Sequence, residues 1–157
     1  MDPAFIAPFI ASIKNVFSTM LQLPVTIGTP ALKRTPNPTH EVSGIIGMSG
    51  AVVGTIVLSF ERAGAVRLVE LFAGQRFEPE SPDFADAIGE LVNMVSGAAK
   101  AKFDAGEVSI SCPSVVVGPG HTVAVPSDTP VVCIPCATDA GSGVIEIAIK
   151  PAPVPVR

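Results

Sequence analysis

The chain has 157 residues, 48% of them hydrophobic and only 15% charged, with a formal charge of −4. That balance excludes a disordered chain and supplies one domain with a core. It also argues against a phosphate-backbone binder, which needs clustered cations. Trp and Tyr are absent, so base stacking is poorly supplied. Lys33–Arg34 is the one adjacent basic pair and reads as two solvated loop residues.

No run of about eighteen uninterrupted apolar residues occurs, so no membrane span is expected. The N-terminus lacks the basic region of a signal peptide. Three cysteines, an odd number, fit a reducing compartment better than a disulfide framework. A cytoplasmic protein is expected.

The first element is an amphipathic helix. Phe5, Ile6, Phe9, Ile10, Ile13, Val16, Phe17, Met20 and Leu21 fall three or four apart, with Ser12, Asn15 and Ser18 opposite. Asp2–Pro3 offers a cap followed by Pro at the first helical position. Pro8 leaves two readings, a start nearer Pro8 or a kink there. Pro24 closes the helix. Val25–Ile27 reads as a short strand and Ala31–Thr39 as a Pro-broken loop or edge segment.

Glu41–Met48 and Ala51–Phe60 read as strands joined by a tight turn at Ser49–Gly50. Gly44, Gly47 and Gly54 within them point to bulges, twist or close backbone approach. Glu61–Phe72 is a second helix with Gly74 at its cap position. Gln75–Pro82 is a linker. Ser81–Pro82–Asp83 then starts a third helix reaching to about Phe103. Val108–Ile110, Ser114–Val117, Val131–Ile134 and Gly143–Lys150 read as strands. In the last of these, isoleucines alternate with Glu146 and Ala148 as in a half-buried strand. The order is α+β, one domain over residues 1–150, with a frayed Pro-rich tail over 151–157.

The third helix carries the candidate chemistry. Ile88, Leu91, Val92, Val95, Ala99 and Phe103 form its apolar stripe. Asp86, Glu90, Asn93 and Gly97 are spaced four, three and four apart and share another face. Glu offers a charged acceptor, and Asn offers both an acceptor and a donor. A side-chain amide can hold a water in line with phosphorus, and phosphoryl transfer is mostly positioning and charge stabilisation. Spacing alone leaves the pair an ordinary solvated face.

The segment Asp86-Ala-Ile-Gly-Glu90-Leu-Val-Asn93-Met-Val-Ser-Gly97-Ala-Ala-Lys100 resembles the signature of the CheC/CheX/FliY phosphatase family. Its core is Glu-x-x-Asn. "FIASIKNVFSTML" (Phe9–Leu21), "GIIGMSGAVVGTIVLSF" (Gly44–Phe60) and "SISCPSVVVGPG" (Ser109–Gly120) are similar to the family's opening helix, first hairpin and following strand. The single Glu-x-x-Asn copy favours the CheX branch. The second helix has Glu70 but Ala73 where an Asn would stand, so no second site is expected. Ala98 stands where that branch often has another Asn.

The resemblance implies a mostly antiparallel sheet with a long N-terminal helix and two central helices packed on it, in a homodimer. It implies a phosphatase acting on the phosphoaspartate of a CheY-like response regulator. Asn93 would orient the water and Glu90 would pair with the receiver's lysine. Asp86, Gly97 and Lys100 would lie in the partner contact. The protein would need no cofactor of its own, with Mg²⁺ held by the receiver. Two other readings remain at this point. One is a non-catalytic module docking a response regulator or flagellar-switch partner. The other is a structural oligomer with Glu90 and Asn93 in a self-interface.

Other patterns carry less. Cys133 and Cys136 are three apart in an extended strand and so face opposite sides, with Cys112 upstream. Buried inert thiols are expected rather than a zinc site. Asp83, Asp86 and Glu90 are not expected to hold a metal. No Gly-x-Ser-x-Gly or phosphate loop is present.

Overall fold

A computed structural model describes residues 2–35 and 40–154. The three helices are α1 (Pro3–Leu21), α2 (Arg62–Ala73) and α3 (Pro82–Lys100). The eight strands are β1 (Thr26–Ile27), β2 (Ala31–Leu32), β3 (Val42–Gly50), β4 (Val52–Phe60), β5 (Val108–Ile110), β6 (Ser114–Val117), β7 (Val132–Thr138) and β8 (Gly141–Pro151). They form one antiparallel sheet in the order β1-β7-β8-β4-β3-β5, with β2 also on β7 and β6 also on β3. The part of the expected edge segment over 36–39 lies outside the described residues.

The register explains the core. Ile46, Ile56, Ile147 and Val132 stand in one row across β3, β4, β8 and β7, and Leu58, Ile145 and Ile134 fill the next. All seven are at most 5% exposed and face the helices. Each contributes roughly 1.5–3 kcal/mol by leaving water. Against them pack Phe9, Ile13, Val16 and Phe17 of α1, Leu68 and Val69 of α2, and Ile88, Leu91, Val92 and Val95 of α3.

Helix α1 starts at Pro3, where Asp2 caps the free N–H of Ala4 at 2.9 Å. It therefore runs through Pro8, which is buried. Gln22, in the left-handed region at φ 52°, ends it, and Leu23 donates back to the Phe17 carbonyl at 3.0 Å. By length and composition α1 is apolar enough to cross a membrane, but its apolar stripe, apart from the exposed Met20, packs in or against the core. Ser12, expected on the polar face, is buried, because it lies inside the stripe between Phe9 and Val16.

Several boundaries differ from expectation. The turn is not at Ser49–Gly50. Pairing of β3 with β4 ends at Met48–Gly54, after which Ser49 and Gly50 pair with β5 while Val52 and Val53 pair with β8. The two strands diverge and Ala51 alone links them. Gly54 makes this possible, since at φ 145° a Cβ there would lie 2.0 Å from the Ala148 carbonyl oxygen. Helix α3 stops at Lys100, yet Phe103 still stacks edge-on against Phe5 and Phe9, with centroids 6.0 and 5.8 Å away. That contact explains why the apolar stripe outruns the helix. Strand β7 runs on to Thr138 through Pro135. Strand β8 extends into the expected tail, where Ala152 donates to the Ala51 carbonyl; residues 155–157 lie outside the described residues.

The back face of the sheet is also covered in part. Ser43, Val57, Ser59, Glu146 and Ala148 are buried there. Glu146 is therefore not on a solvent face. Lys33 is not a solvated loop residue either, since its Nζ donates to both Glu146 carboxylate oxygens at 2.9 and 3.0 Å. The segment after β6 is tied to the same face by His121, whose Nε2 lies 2.7 Å from Ser43 Oγ, and by the Lys150–Asp128 ion pair.

Gly44 sets how closely α3 lies on β3. A Cβ there would sit 2.2 Å from Val92 Cγ2. Gly44→Ala is expected to destabilise by about 1–3 kcal/mol through overpacking. Adding Val92→Ala should recover part of that loss, because the two positions share one space. Urea unfolding of the two single variants and the double variant checks the coupling.

Candidate active site

The packing of α3 decides which of its residues reach solvent. Phe84, Ile88, Leu91, Val92, Val95 and Ala99 are buried, which fixes the helix's rotation. Ser81 caps its start by accepting from the Asp83 N–H at 3.3 Å, and Lys100 lies in its last turn, where a cation suits the dipole.

That rotation brings the expected residues together. Asp86, Glu90 and Lys100 are exposed, and Asn93 and Gly97 are half-buried. Among the described residues the ion pairs use Lys33, Arg62, Arg67, Arg76 and Lys150, and none involves Asp86, Glu90 or Lys100. The Asn93 side chain makes no hydrogen bond among the described residues. A charged acceptor and an amide therefore stand side by side, free to meet a group from outside.

A second wall comes from the chain after β5, which sequence reasoning missed. Gly89 is buried, and a Cβ there would lie 3.2 Å from Pro113 Cγ and 3.6 Å from Val115 Cγ2. Ser111 anchors this segment, its hydroxyl accepting from the Gly47 N–H and donating to the Cys112 carbonyl, both at 2.9 Å. The available signal was the Gly89–Glu90 pair, but nothing in the sequence says what fills the space over that glycine. At Gly97 the neighbouring chain is more distant, with Ile110 Cδ1 4.0 Å from a built Cβ.

The other candidates separate. In α2, Glu70 is paired with Arg67 at 3.1 Å, and Ala73 is exposed. No group of three or more His, Cys, Asp or Glu among the described residues is placed to hold a metal ion. Cys133 and Cys136 do face opposite sides, half-buried and buried. Burial pushes the Cys136 thiol up to about 11, and burial with the Glu146 charge raises Cys133. Cys112 departs from the expectation of a buried thiol, because it lies exposed in the segment between β5 and β6. A maleimide at pH 8 is expected to label Cys112 within minutes and Cys136 only after unfolding, as read by mass spectrometry of digested protein.

Known proteins with the same pattern bear on this geometry. The profile of the family described as Chemotaxis phosphatase CheX matches residues 42–137, which include β3, β4, α2 and all of α3. CheY-P phosphatase CheX of Thermotoga maritima is 27% identical over 121 residues, covering 75% of this chain and 78% of that one. The crystal structure of a CheC-like superfamily protein from Shewanella sp. PV-4 superposes with a TM-score of 0.87 at 33% identity, over 96% of this chain and 99% of that one. At 20% identity the fold alone is shared with CheX in the CheX–CheY–BeF3–Mg²⁺ complex of Borrelia burgdorferi, with a TM-score of 0.76 over 93% and 97% of the two chains. With the matched segment spanning the whole of α3, and the sheet and three helices reproduced over nearly the full length, the chain belongs to the CheX chemotaxis phosphatase family.

Proposed function

We propose that this protein accelerates dephosphorylation of a CheY-like response regulator, with Asn93 positioning the attacking water and Glu90 docking the receiver's lysine. The observation that carries the reading is the exposed Glu90 beside the half-buried Asn93, which has no hydrogen-bond partner among the described residues, on a helix whose other side is locked in the core. The Thermotoga relative is named a CheY-P phosphatase, and the Borrelia complex joins a CheX to CheY with Mg²⁺.

The phosphoaspartate and its Mg²⁺ belong to the partner. Water, held by the Asn93 amide, attacks phosphorus in line. The bond between phosphorus and the aspartyl oxygen breaks, the aspartate leaves as carboxylate, and the water's proton goes to the departing phosphate. Glu90 pairs with the receiver's lysine and fixes the helix over the phosphoryl group. Asp86, Gly97 and Lys100 form the surrounding contact. One such site per chain, a single domain over 1–150, a cytoplasmic location and a homodimer go with this reading.

The test is a time course of phosphate release from acetyl-phosphate-charged receivers of the same genome, with and without the protein. Acceleration on at least one receiver is expected. Binding without acceleration would point instead to a non-catalytic docking module.

A further inference from the structure

We propose that the groove between α3 and the start of β6 is a specificity subsite for a cationic side chain with an aliphatic stem, presented by the partner receiver. The inference rests on the phosphatase reading and gives the Asp86 part of the partner contact a ligand chemistry and a second wall. The groove, about 440 Å³ and open to solvent, is lined by Ala85, Asp86, Gly89, Glu90, Pro113 and Val115. Its two walls differ in chemistry. On the helix side, Asp86 and Glu90 lie one turn apart, exposed and without an ion pair among the described residues. On the strand side, Pro113 and Val115 are apolar and half-buried.

Gly89 sets the floor. With Pro113 3.2 Å from where its Cβ would be, any side chain there would close the gap between the walls. Lysine and arginine match the result, since an aliphatic stem covers the apolar wall and the charged head reaches the Asp86 carboxylate. An acidic side chain would meet like charge, and a purely apolar one would desolvate Asp86 without a partner. Glu90 is committed to the receiver's lysine in the proposed mechanism. Asp86, one turn nearer the start of α3, remains for a second cation. The groove thus selects among receivers, while Glu90 and Asn93 act on the phosphoryl group.

The test uses the full chain with acetyl-phosphate-charged CheY-like receivers of the same genome. Binding of the beryllofluoride-charged receivers is followed separately by titration calorimetry. Asp86→Lys and Val115→Lys are each expected to raise KM about tenfold, with a smaller fall in kcat. Asp86→Glu and the neutral, similarly long Val115→Gln should recover most of that loss. An unchanged KM in Asp86→Lys, or equal rises in Val115→Lys and Val115→Gln, overturns the subsite. Thermal unfolding confirms that each variant is folded. If wild-type protein binds charged receivers but releases no phosphate, the phosphatase reading fails. The subsite then stands or falls on whether Asp86→Lys weakens that binding. Absence of binding to every receiver overturns both.

Discussion

Asn93→Ala is expected to slow receiver dephosphorylation about 10²–10³-fold at saturating partner, equivalent to ~2.7–4 kcal/mol of transition-state stabilisation. The size follows from the role. In the proposed role one amide holds the water at its point of attack, and alanine offers neither donor nor acceptor. The fold has little stake in that side chain, which is half-buried and makes no hydrogen bond among the described residues. The helix is held instead by Ile88, Leu91, Val92 and Val95. Unfolding free energy should therefore stay within about 0.5 kcal/mol of wild type. Decay of the phosphorylated receiver, timed by rapid quench, separates the two effects. An unchanged decay rate in the folded variant would falsify the water-positioning role.

The largest stability effect is expected on the opposite face of the sheet. Lys33→Met leaves Glu146 as an uncompensated charge in the middle of β8, directly across from Cys133 and Val57. Breaking a buried pair by removing one partner costs about 3–5 kcal/mol. The low end, about 3 kcal/mol, applies here because the Lys33 side chain keeps 15% of its exposure. For a domain of this size that lowers Tm by about 6–12 °C. Lys33→Met combined with Glu146→Leu should regain most of the loss, since a packed apolar pair costs no desolvation of charge. Calorimetric melting of the single and double variants checks both statements. A single variant as stable as wild type would mean that water solvates Glu146 in place of Lys33.

Much of the fold is legible in local pattern. The Ser81 cap, Pro82 at the first helical position and the cap glycine Gly74 are read from chemistry that acts within a few residues. Strands β5 and β6 lie where their β-branched runs place them. What the pattern misplaces depends on partners distant in sequence. The β3–β4 connection looks like a hairpin turn at Ser49–Gly50. It is instead a divergence, because each strand finds a different neighbour, β5 or β8, beyond Met48 and Gly54. Glu146 reads as solvent-facing from its alternation with isoleucine. Burial of that face depends on Lys33, over a hundred residues away, and on the chain after β6.

The candidate site divides the same way. Helical periodicity alone places Asp86, Glu90, Asn93 and Gly97 on one face of α3, because 3.6 residues per turn is a local property. It cannot tell whether that face is covered. Only the tertiary structure leaves Glu90 exposed and Asn93 half-buried, by spending the opposite face of α3 on α1 and β3. Only the tertiary structure sets Pro113 and Val115 against Gly89, since strand pairing of β6 with β3 carries them there. Local periodicity and capping set the helix, its face and the residues on it. The long-range pairing of the sheet decided what stands opposite that face, and so the groove beside Glu90.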